Sequence, residues 1–97
     1  MTVQDADPGL VAFRDEITAL DLRLLETINA RLETVQALQS YKAEHGLAFL
    51  DPDREAWLVE HLQQANSGPL SAAAVAELCE FVLDLVKREL AGSARNG

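Results

Sequence analysis

Ninety-seven residues, 48% hydrophobic and 25% charged, suit one small domain and leave too little chain for two independent cores. Sixteen acidic against eight basic residues give a net charge of -8, the wrong sign for neutralising the phosphates of DNA or RNA. Five aromatic residues and scattered β-branched ones, among abundant Leu and Ala, exclude a β-sandwich or barrel and predict an all-α fold.

The segment Met1 to Pro8 is polar and acidic, with no basic stretch leading into an apolar one, so it does not read as a secretory signal. No later run reaches the ~18 apolar residues of a membrane span. The lone cysteine, Cys79, excludes an intrachain disulfide framework, and no Cys/His spacing suggests a metal site. These features predict a cytoplasmic protein with no membrane or nucleic-acid partner.

From Leu10 to about His45 there is neither Gly nor Pro, and apolar residues recur every three or four positions, from Leu10, Phe13, Ile17, Leu20 and Leu24 to Tyr41. The spacing predicts one long helix, with Pro8 near its first turn, Asp15 and Glu16 early in it and Gly46 as its stop. Some 35 residues make about 52 Å of helix, whereas a compact domain of ~100 residues has a radius of gyration of about 13 Å. Such a stripe outruns what its own chain can cover. The predicted remedy is an intertwined homodimer.

After a connector over Gly46 to Leu50, Asp51 reads as an N-cap and Pro52 as the first residue of a second helix. Its stripe is Leu58, Leu62 and Ala65, supported by Trp57, and Asn66-Ser67-Gly68-Pro69 ends it. Ser71 then caps a third helix whose stripe, Val75, Leu78, Cys79, Val82, Leu85, Val86 and Leu90, runs to Gly92, ahead of a frayed tail over Ser93 to Gly97. The expected organisation is a single domain over residues 1–97, with a three-helix core over about 9–91 and polar tails.

The scarce cations carry the functional signal. Arg14, Arg23, Arg31 and Lys42 lie on the first helix, and Arg54 opens the second. Residues eleven apart on an ideal helix differ by about 20° in azimuth and lie ~16 Å apart, so Arg31 and Lys42 share a face with Val35 and Leu38 between them. Arg14 stands about 25 Å from Arg31 along the axis and roughly 100° round it, out of reach within one chain. Antiparallel pairing of two long helices brings Arg14 of one copy toward the Arg31 and Lys42 region of the other.

Each residue also has a plainer reading. An Arg on a helix is usually solvated or paired one turn away, as Glu16 and Glu26 would allow. Asp51 serves as a cap and Glu55 as a first-turn acid. His45 and His61 have no partner at a telling spacing, Cys79 sits on an apolar stripe, and Ser40, Ser67 and Ser71 lack a nucleophile's context. No Gly-rich phosphate loop is present. Fixed cations without a nucleophile or metal suit a small anionic substrate whose reaction needs only orientation and charge stabilisation, such as a unimolecular rearrangement.

The string Arg14-x-x-Ile17-x-x-Leu20-Asp21-x-x-Leu24-Leu25, then Arg31, Tyr41-Lys42-x-x-x-Gly46 and Asp51-Pro52-x-Arg54-Glu55, resembles the all-helical chorismate mutase family over nearly the whole chain. The resemblance implies a three-helix protomer, an intertwined dimer and cofactor-free conversion of chorismate, a small dicarboxylate, to prephenate. It assigns the two carboxylates to Arg31 and to Arg14 of the other copy. Lys42 binds a carboxylate and donates to the ether oxygen, Arg54 is a supporting cation, Glu55 accepts from the ring hydroxyl, and Asp51 shapes that end. Lys42, Arg31 and Glu55 are thus the expected catalytic residues.

One departure lies in helix three. The family commonly has a Gln or protonated Glu there as a second donor to the ether oxygen, where an ungapped count places Leu90, with Glu89 beside it and Val86 where a small hydroxyl residue is often found. Losing one such donor costs ~10² to 10³ in rate. Either a shift of helix three brings Glu89, Lys87 or Arg88 to the site, or Lys42 is the sole donor, or the substrate differs. Relatives of the same fold include 4-amino-4-deoxychorismate mutases and isochorismate pyruvate lyases. A non-catalytic dimerisation module is the alternative from another class.

Overall fold

A computed structural model describes the backbone of residues 7–96 and the side chains of residues 7–92. The expectations for Met1 to Ala6 and for Gly97 lie outside the described residues. Three helices, α1 (Pro8–Glu44), α2 (Pro52–Ala65) and α3 (Ala72–Asn96), make up the regular structure among them. The order and class agree with the expected all-α, three-helix protomer.

Helix α1 starts earlier than its apolar pattern. Asp7 Oδ1 accepts the backbone N–H of Leu10 at 2.9 Å, and the Asp7 carbonyl accepts that of Val11 at 3.0 Å. Asp7 is therefore the cap, and Pro8 takes the first helical position, where a missing N–H costs nothing. Asp15 and Glu16 lie beyond the first turn, which contains no acid.

The other end of α1 closes with two wrapped hydrogen bonds. Leu47 N–H reaches back to the Lys42 carbonyl at 2.8 Å and Gly46 N–H to that of Ala43 at 3.5 Å, around Gly46 at φ 67°. This left-handed glycine stop is the one that the sequence predicts.

The chain divides into two compact units, Met1–Thr34 and Val35–Gly97. The first consists, in its described part, of α1 as far as Thr34, and it leaves its apolar pattern open: Phe13 is 67% exposed and Leu24 55%, with Ile17, Leu20, Leu22 and Leu25 also exposed.

The second unit packs on itself. Asp51 caps α2 by accepting Arg54 N–H at 3.1 Å, with Pro52 next in line, and Ser71 Oγ caps α3 by accepting Ala74 N–H at 3.1 Å. Between them Asn66 organises the turn: its side chain donates to the Leu70 carbonyl and accepts from Gly68 N–H. Gln63 Nε2 bridges the end of α2 to the Ala72 carbonyl at 2.9 Å. Helices α2 and α3 thus run antiparallel and in contact.

The buried core is on α3: Val75, Cys79, Val86 and Leu90. They fall within about 60° of azimuth on an ideal helix. Each contributes about 2 kcal/mol of apolar burial. Leu78, expected on this stripe, is half exposed, since it stands to one side of that narrow arc. On α2 only Leu58 of the expected stripe is half-buried; Trp57, Leu62 and Ala65 are exposed. Helix α3 runs four residues beyond Gly92 to Asn96, so the backbone of the expected tail remains helical that far.

Candidate active site

The first unit holds Arg14 and Arg31. Arg14 lies on its exposed stretch, whereas Arg31 is half-buried. Arg31 Nη1 is fully enclosed and makes no hydrogen bond, the one such side-chain nitrogen or oxygen among the described residues. A buried donor left without an acceptor costs about 1–3 kcal/mol, more for a charged group. The two arginines are seventeen residues apart on one helix, so a single chain does not bring them together.

The second unit holds the remaining candidates. Lys42 occupies the last turn of α1, where the glycine stop fixes its backbone; its Nζ donates to the Phe49 carbonyl at 3.1 Å and lies 5.9 Å from the Phe49 ring centre. The connector after α1 therefore holds this ammonium in place, a role for Phe49 that no sequence motif announces.

Asp51, Arg54 and Glu55 are gathered by the start of α2. Asp51 caps the backbone of Arg54 and accepts Glu55 N–H through its carbonyl at 3.1 Å. The Arg54 guanidinium stacks over the Trp57 ring at 4.2 Å, and Trp57 stacks in turn on His61 at 4.5 Å. This exposed ladder explains why Trp57 does not join the apolar stripe. An Arg and a Trp three residues apart on one helix is the signal that could have found it.

Glu55 is half-buried and pairs across the helix interface with Lys87 of α3, Oε1 to Nζ at 2.6 Å. Both line a groove of about 360 Å³ between α2 and α3, with Val59, Leu83, Glu80 and Asp84. Its charged lining is three carboxylates and one ammonium. Helix α3 brings Lys87 to Glu55. Val86 and Leu90, at 5% and 4% exposure, belong to the core, and Glu89 is exposed.

Among the described residues no group of three or more His, Cys, Asp or Glu side chains is placed to hold a metal ion. His45 and His61 are exposed and stack on Tyr41 and Trp57. No described helix is long and apolar enough to cross a membrane. The chemistry on offer is fixed charge: oriented cations with one paired carboxylate.

Comparison with known proteins gives this charge pattern a family. The model of the chorismate mutase type II family matches residues 13–89. A bifunctional chorismate mutase/prephenate dehydratase of Pseudomonas aeruginosa is 38% identical over 79 residues, and one of Stutzerimonas stutzeri is 36% identical over 80 residues. Each match covers 76% of this chain, and the chain spans 22% of the length of each of these relatives. Among solved structures, chorismate mutase (form I) from Thermus thermophilus superposes with a TM-score of 0.78 at 24% identity, covering 80% of this chain and 98% of that one, a likeness of fold. The chain belongs to the chorismate mutase type II family.

Proposed function

We propose that this chain rearranges chorismate to prephenate as a homodimer, with Arg14 of each copy serving the other copy's site. The observation that carries the reading is Arg31, whose enclosed Nη1 has no acceptor among the described residues of one chain. In a member of this family, the natural partner for that donor is a substrate carboxylate. The open apolar stretch of the first unit supports the dimer: an amphipathic helix with its stripe in water is stable only once that stripe is covered.

The reaction breaks one carbon–oxygen bond and forms one carbon–carbon bond within a single molecule, with no net proton transfer and no cofactor. Arg31 and the second copy's Arg14 hold the carboxylates through bidentate guanidinium contacts, limiting the rotation of the enolpyruvyl ether. Lys42 faces the ether oxygen, where negative charge grows as the bond breaks, so its donation favours the transition state over the ground state. Glu55 accepts from the ring hydroxyl, Arg54 adds a supporting cation and Asp51 fixes the start of α2. With Val86 and Leu90 apolar and in the core, Lys42 is the sole donor to the ether oxygen. The compartment is cytoplasmic.

The test is turnover by the purified chain of chorismate, 4-amino-4-deoxychorismate and isochorismate, with products identified. Loss of chorismate with formation of prephenate is the expected result. Turnover of another of the three reassigns the substrate, and turnover of none leaves a dimerisation module. Arg31→Ala should lower kcat/KM for chorismate by about 10³ with helix content unchanged by circular dichroism; unchanged turnover removes Arg31 from the site.

A further inference from the structure

The contact between Glu55 and Lys87 is not explained by the roles assigned so far. Resting on the chorismate mutase reading, we infer that Lys87 is a positioning and specificity residue: it neutralises and orients Glu55 so that this carboxylate accepts from a neutral ring hydroxyl beside a doubly anionic substrate. Left alone, a carboxylate at that position repels a dianion. With Lys87 Nζ at 2.6 Å from Oε1, the pair adds no net charge, and Oε2 keeps its lone pairs for the substrate.

The geometry selects Lys87 among its neighbours. Val86 and Leu90 turn into the core, and Glu89 and Arg88 are exposed. Lys87 stands about 100° from Val86 on an ideal helix, at the edge of α3 that meets the start of α2. Glu80 and Asp84 line the same groove and add to the negative field there. Without Lys87, the three carboxylates that line the groove have no cation among its lining residues. That environment disfavours a dicarboxylate carrying a hydroxyl more than one carrying an ammonium in its place.

Steady-state kinetics at fixed ionic strength, with chorismate and 4-amino-4-deoxychorismate, test this on the full chain. Lys87→Met should raise KM for chorismate about fivefold with kcat within about twofold, as suits a half-exposed ion pair. The KM of the amino analogue, or its Ki where it is bound without turnover, should stay level or fall. Lys87→Arg should restore the wild-type values to within about threefold. In a Glu55→Gln background, the effect of Lys87→Met on the KM for chorismate should shrink to about twofold or less, a coupling that a merely structural role would not produce.

Equal changes for both compounds, no change for either, or an undiminished effect in Glu55→Gln overturns the inference and leaves the proposed function standing. A wild-type chain that neither converts nor binds either compound overturns both together.

Discussion

Helix α3 and the first-unit stretch of α1 carry the same spacing of apolar residues by threes and fours, but they end in opposite environments. On α3 the stripe is narrow, and Val75, Cys79, Val86 and Leu90 are all buried in a unit that closes on itself. On α1 the residues from Phe13 to Leu25 stay open, including Leu22 and Leu25, which widen the apolar surface beyond one stripe. Periodicity therefore marks a helix that needs a partner without saying where the partner comes from. A helix joined to its neighbour by a short connection, as α3 is to α2, finds it in the same chain. One whose apolar stretch begins more than twenty residues from the next helix calls for a second copy under the proposed function.

The comparison breaks most completely if the open stretch is made polar. Leu20→Asp with Leu24→Asp should convert a dimer to a monomer, read as a halved mass by analytical ultracentrifugation, with kcat/KM reduced about 10³-fold through loss of the partner's Arg14. A monomeric wild type, or a variant that remains dimeric and active, removes the intertwined arrangement. The same interface sharpens when inactive Arg14→Ala and Arg31→Ala chains are mixed by refolding. Half of the resulting dimers are hybrids with one intact site of two, so about a quarter of wild-type activity should return under two-fold symmetry. No recovery, with hybrids shown to form, contradicts the shared site.

In the self-packed unit the expected effect is on stability. Leu90→Ala removes a buried side chain from α3 and should lower unfolding free energy by about 3 kcal/mol in urea titration. A loss under about 1 kcal/mol would show that the α3 stripe is not a close-packed core. Gly46→Ala is the smallest change. Nothing lies near the added methyl group, so the cost is that of a left-handed backbone alone, about 1 kcal/mol by the same titration, with secondary structure retained.

Local chemistry was legible wherever a residue's role depends on near neighbours in the chain. Asp51, Pro52 and Ser71 cap as expected because a cap acts over three residues, and Gly46 stops α1 because only its φ is at issue. Asp7 was readable in principle but lay ahead of the first apolar residue, so the apolar pattern started α1 too late. Leu78 and Trp57 were misplaced because hydrophobicity states a preference for burial, whereas exposure depends on which side of the helix a neighbour covers. The long first helix, the cation set and its order gave the family, and with it the expected roles of Arg31, Lys42 and Glu55.

By itself the sequence determined the three helices, the caps at Asp51 and Ser71 and the glycine stop at Gly46, since each depends on interactions within one or two turns, and it set the acidic balance with its few cations in order. Only the tertiary structure decided that Val86 and Leu90 are core, that Lys87 meets Glu55 and that Lys42 is held by the Phe49 carbonyl. Those contacts join residues on different elements, and their geometry is set by how α2 lies on α3 and how the connector turns, which no local pattern encodes.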